Sequence, residues 1–180
     1  MNGGATRVTS PVQVGIVLGS DSDLETMLET VKVLEALGIG HEVVVASAHR
    51  TPRRTEEWAS GAAARGLKVL IAAAGGAAAL PGVVAAFSPL PVIGVPIAST
   101  TLNGLDALLS IVQMPKGVPV ATVAIGAWGA ANAAILAAQI ISVGDPALAE
   151  RLAAYRTRLA EEVEERARRV AEKLKARTGG

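Results

Sequence analysis

VQVGIVLGSDSD, residues 12–23, sets the pattern from which the rest of the chain is read. Residues 12–18 are dominated by Val, Ile and Leu, a run of strand length with both faces apolar, and glycine then breaks it. Ser22 and Glu25 have the spacing of a capping box, which predicts a helix to about Leu37, stopped by Gly38 and Gly40. The unit then recurs. HEVVVAS (41–47) reads as a second strand, and TPRRTEEWASGAAARG (51–66) as a helix with Pro52 in its first turn, ending near Gly66. KVLIAAAG (68–75) and PVIGVPI (91–97) read as the third and fourth strands. LDALLSIVQM (105–114) is helical until Pro115, VPVATVAIG (118–126) is a fifth strand, and ANAAILAAQIIS (131–142) is a small-residue helix suited to close packing. This alternation predicts an α/β fold: a three-layer α/β/α parallel sheet of flavodoxin-like or Rossmann-like type.

A disordered tail is expected over residues 1–11, the α/β domain over 12–144, and a C-terminal helix over 145–180. That helix begins with an Asp cap and Pro-Ala, and Leu148, Leu152, Tyr155, Leu159, Val163, Ala167, Val170 and Leu174 recur at helical spacing. So long an apolar stripe points to packing on a neighbouring subunit; the plainer reading is packing on its own domain. At 180 residues, 51% of them hydrophobic, the chain can bury a real core built from Ala, Val, Leu and Ile. Net charge is +1 and there is no basic stripe, which argues against nucleic-acid binding. The absence of cysteine excludes disulfides and thiolate catalysis. No uninterrupted apolar run approaches membrane-spanning length and no signal core opens the chain, so a cytoplasmic protein with no membrane partner is expected.

Three loops fall at the carboxyl ends of the strands, where ligands sit in such sheets. In GSDSD (19–23), the hydroxyls and N–H groups at a helix start can hold an anion, and Asp23 can accept from ribose hydroxyls; the plainer reading is an ordinary cap. In SAHRTP (47–52), His49 can move a proton near neutral pH and Arg50 can fork onto phosphate; the plainer reading is a capping His and a solvated Arg. His41, at a strand start, receives no role. In AAAGGAAALPG (72–82), Gly75 and Gly76 followed by Pro81-Gly82 let the backbone press against a flat ring. Together the loops suggest a small phosphorylated sugar bearing a planar ring. Neither Walker A nor G-x-G-x-x-G spacing occurs, and no cluster has metal-ligand spacing, so neither cofactor nor metal is expected.

These loops, with LPVIGVPI (90–97), LNGLDALLSIVQMPKGVPVATVAIG (102–126) and NAAILAAQI (132–140), resemble the PurE family, the N5-carboxyaminoimidazole ribonucleotide mutases of purine biosynthesis. The resemblance spans nearly the whole chain from Val12, and SIVQMP is a specific signature. It implies the PurE fold, a homo-octamer with active sites near subunit junctions, and carboxyl transfer through trapped CO2 with no cofactor. It implies that Ser20, Ser22 and Asp23 contact phosphate and ribose, and that Ser47 and Arg50 complete the phosphate site. Ala74, Gly75 and Leu80 join the substrate site, and His49 is the general acid and base.

Four positions depart from the family pattern. Its loop reads AGAGGAAHLPG, so Ala79 stands where a histidine is expected and Ala73 where a glycine is. Phe87 replaces a common lysine, and Trp128 a small or polar residue; with Ala79 they suggest an altered pocket. Three readings follow: a working mutase, a divergent paralogue acting on another ring substrate, or a non-catalytic or engineered scaffold that keeps the fold. The intact GSDSD and SAHRTP loops favour an enzyme over a scaffold, because folding does not demand a His-Arg pair there.

Overall fold

A computed structural model describes residues 11–178, so apart from Pro11 the expected N-terminal tail lies outside the described residues. These residues form a parallel sheet of β1 (Val12–Leu18), β2 (Gly40–Val45), β3 (Val69–Gly75), β4 (Val92–Ile97) and β5 (Ala121–Thr122), in the order β2-β1-β3-β4-β5. The helices are α1 (Leu24–Ala36), α2 (Pro52–Ser60), α3 (Leu80–Phe87), α4 (Leu105–Val112), α5 (Ala127–Ser142) and α6 (Pro146–Thr178). The architecture is the flavodoxin-like three-layer sandwich expected from the strand–helix alternation.

Side chains alternate across the strands, which explains why the central strands are apolar throughout. Val14, Ile16 and Leu18 of β1 face a core completed by Leu34 of α1 and the alanines of α5. Val17, Ala72 and Ala74 face the other core, with Trp58 of α2, Leu80 and Val84 of α3, and Ile111 of α4. Alanines and glycines let these layers close. A Cβ at Gly15 would come within 2.8 Å of the Trp58 ring, and one at Gly94 within 2.5 Å of Ile111.

The structure corrects the sequence reading in four places. The capping box uses Ser20 and Asp23, not Ser22 and Glu25: Ser20 Oγ accepts from Ser22 N–H (3.4 Å), and Asp23 Oδ2 accepts from Ser20 N–H (3.1 Å). A 3₁₀ turn over Asp21–Asp23 then leads into α1. Helix α2 ends at Ser60 because Gly61 caps it, and Gly66, at φ +91°, turns the chain back so that Leu67 is buried. A helix not anticipated, α3, starts at Leu80 with Pro81 in its first turn; burial of Leu80, Pro81 and Val84 holds it in place. Strand β5 shrinks to two residues, since Pro119 has no N–H to give a ladder.

Helix α6 begins as its sequence predicts, with Asp145 Oδ1 accepting from Leu148 N–H at 2.9 Å. Leu148 and Leu152 join the α1/α5 core, and Arg151 Nε donates to Leu37 O (2.9 Å) at the end of α1. Farther along, Leu159, Val163, Val170 and Leu174 are exposed. The first turns of the helix therefore belong to the domain, and its distal length does not.

Helices α1 and α5 are clamped by a buried bond in which the Thr30 hydroxyl donates to Ala130 O at 2.7 Å. The near-isosteric Thr30→Val removes that donor and should cost about 1 kcal/mol. Urea unfolding should show a lowered midpoint at an unchanged slope.

Candidate active site

A cavity of about 190 Å³ opens at the carboxyl ends of β1 to β4, where the strand order reverses between β1 and β3. Ser20, Ser22 and Asp23 line it from the loop after β1, and Ser47, His49 and Arg50 from the loop after β2. Ala74, Gly75, Ala79 and Leu80 line it from the end of β3 and the start of α3. Three loops far apart in sequence thus meet at one place.

Each loop is held by its own chemistry. Gly19 N–H donates to Ala73 O (3.0 Å), which ties the loop after β1 to β3. The SAHRTP loop is closed by Thr51, whose Oγ1 accepts from Ser47 N–H (2.9 Å) and donates to Ser47 O (3.1 Å). Arg50 N–H donates to Ser47 Oγ at 3.2 Å. The side chains of His49 and Arg50 stay exposed at the cavity. After β3 the chain turns through Gly76 at φ +60° and Ala78 at φ +33°. Ala78 is buried in a left-handed conformation that disfavours any side chain, so local backbone strain is stored in the cavity wall.

Asp23 is 4% exposed, although its carboxylate borders the cavity. Burial pushes its carboxyl pKa up; hydrogen bonds from Ser20 N–H and the Ser22 hydroxyl pull the other way, and Asp21 nearby raises it further. Bonds at 3.1 Å and 3.5 Å occupy the two oxygens only in part, leaving acceptor capacity toward the cavity.

The remaining departures lie elsewhere. Ala73 is buried in the α1/α5 core, on the face of β3 opposite Ala72 and Ala74. Phe87, at the end of α3, and Trp128, 83% exposed at the start of α5, do not line this cavity within the chain. Of the four, only Ala79 reaches it, as a methyl group at its rim.

The AIR carboxylase family profile matches residues 13–162. The chain belongs to the AIR carboxylase family. It is 54% identical over 159 residues to the N5-carboxyaminoimidazole ribonucleotide mutase of Pyrococcus horikoshii, covering 88% of this chain and 89% of that one. The corresponding enzyme of Thermotoga maritima is 54% identical over 158 residues, covering 88% and 91%. The crystal structure of PurE from Treponema denticola superposes with a TM-score of 0.77 at 30% identity, covering 85% of this chain and 94% of that one.

In this member of the family the cavity also includes Ser99, which the sequence reading passed over. Ser99 follows β4, at the same sheet edge as the three loops, and that position was the available signal. It also explains Gly75: a Cβ there would overlap Ser99 Oγ and sit 2.9 Å from Ser99 Cβ. Glycine lets the ends of β3 and β4 close on each other.

The buried carboxylate carries a stability prediction. A folded-state pKa raised above the unfolded one means the folded state holds its proton more tightly, so Asp23 destabilises the fold at neutral pH and less so as pH falls through that pKa. Asp23→Asn should therefore melt at a higher temperature at pH 7, with the gap to the parent closing toward acidic pH. Calorimetry across pH 4–8 checks the sign.

Proposed function

We propose that this chain catalyses PurE-type carboxyl transfer, converting N5-carboxyaminoimidazole ribonucleotide to its C4-carboxylated isomer in cytoplasmic purine biosynthesis. The observation that carries the reading is the convergence of His49, Arg50 and Asp23 on one cavity at the switch point of the sheet, in a chain of this family. The aminoimidazole ring lies against the Gly75 backbone and Leu80. Asp23 and Ser22 accept from or donate to the ribose, and Ser20, Ser47 and Arg50 hold the phosphate. His49 protonates the exocyclic nitrogen as its carboxylate leaves as CO2. Ring carbon C4 then attacks the trapped CO2, and His49 recovers a proton from C4, so protons and charge balance over the cycle. No redox step or nucleotide hydrolysis is needed. The other arm of the reading is assembly: exposed apolar residues along distal α6 support contact with further copies, in a homo-octamer.

Ala79 supports a second reading, a relative acting on a different ring, because a methyl group there leaves more apolar space than an imidazole. One assay separates the two. Wild-type protein should isomerise N5-carboxyaminoimidazole ribonucleotide, and His49→Asn should lose 10²- to 10⁴-fold, the usual worth of a general acid–base. Ala79→His should raise the rate tenfold or more if the position holds a substrate-orienting group. No turnover in wild type and no gain in Ala79→His favours the different ring.

The assembly has its own test. Removing residues 158–180 leaves Leu148 and Leu152 in place, so the domain should stay folded by circular dichroism. Light scattering should then report fewer subunits per particle; an unchanged mass would refute a joining role for distal α6.

A further inference from the structure

The cavity that holds His49 continues into a second groove of about 370 Å³, and the two share Gly19, Ser20, Ser47 and Arg50. The size of the first decides what the second is for. Small-molecule sites usually run to roughly 300–1,000 Å³, so about 190 Å³ is too little for a ring, a ribose and a phosphate together. The ring end is set by Gly75, Leu80 and His49, which line only the first cavity. The ligand must therefore leave past Ser20, Ser47 and Arg50. Beyond them, in the second groove, stands Arg54.

Arg54 has no folding role on view. It is exposed, and among the described residues neither it nor Arg50 makes an ion pair. It lies in the first turn of α2, which has no acidic residue, and there a cation opposes the helix dipole. The carboxylate in the same groove, Asp21, is engaged locally: its Oδ1 accepts from Ser20 Oγ and from Ser22 N–H, both at 3.1 Å.

We propose that Arg54 is a second phosphate ligand, gripping the substrate's dianionic phosphate between its guanidinium and that of Arg50 and so selecting phosphorylated over dephosphorylated substrate. The proposal rests on the carboxyl-transfer reading for the identity of the substrate, but not for the presence of a phosphate. In steady-state assays of the full-length protein, Arg54→Ala should raise KM tenfold or more with kcat within twofold. The inhibition constant for inorganic phosphate should rise in parallel, and Arg54→Lys should recover part of the loss. The unliganded melting temperature should not fall, which separates binding from folding. An unchanged KM and phosphate inhibition constant in Arg54→Ala overturn the proposal while leaving the carboxyl-transfer reading intact. If wild type shows no turnover, titration with ribose 5-phosphate decides: a tenfold weaker Kd in Arg54→Ala supports the role. Equal affinities, or no binding by wild type, overturn it.

Discussion

The hydrogen bond from Gly19 N–H to Ala73 O, at 3.0 Å, is the point on which the site depends. It extends the β1–β3 pairing one residue past Leu18 and Ala73, at the point where the strand order reverses, while β3 runs two residues farther to Gly75 beside β4. Ala46 N–H makes the matching bond to Leu18 O, also at 3.0 Å, on the β2 side. The three loops that follow start from a common edge. Their side chains then need only short reaches to meet, which suits Ser, Asp and His better than long flexible chains. The small residues of β3 complete the arrangement, because Ala72 and Ala74 let α2 and α3 lie close and Gly75 admits Ser99.

Function and stability pull against each other in this wall. Burying the Asp23 carboxylate and twisting Ala78 into the left-handed region both cost folding free energy. Both costs fall at the edge of a sheet whose central strands are almost wholly buried, so the rest of the domain can sustain them.

How much of this was legible in the sequence depended on what kind of signal each element carries. The first four strands were readable because a strand covered on both faces must be apolar at every position. The three site loops were readable because glycine, serine and aspartate cluster directly after such runs. Helix α3 was not, since AAALPG has the composition of a turn and becomes helical only because burial of Leu80 and Val84 rewards it. The capping residues slipped by two positions because Ser20 and Ser22 offer the same chemistry, and only the fold decides between them. Ser99 and Arg54 carry no motif; their meaning comes from the strand end and the groove they occupy. Phe87 and Trp128 show the converse, as unusual residues near the loop in sequence that lie off this chain's cavity in space.

Helix α6 shows where intrachain forces run out. Its first turns are fastened by the Asp145 cap, by Arg151 on Leu37 O, and by two leucines in the core. Over the distal turns the ion pairs include Arg166–Glu162 and Arg169–Glu165, exposed i,i+4 contacts of a kind that contributes only a few tenths of a kcal/mol each. Covering a Leu or Val fully is worth roughly 1.5–3 kcal/mol. The apolar stripe keeps its helical spacing through Leu159, Val163 and Val170, well past the point where the domain can cover it. Leu159, Val163 and Val170 lie outside the core that covers Leu148 and Leu152, and in the proposed assembly a second copy presenting the same stripe is the simplest surface to cover them.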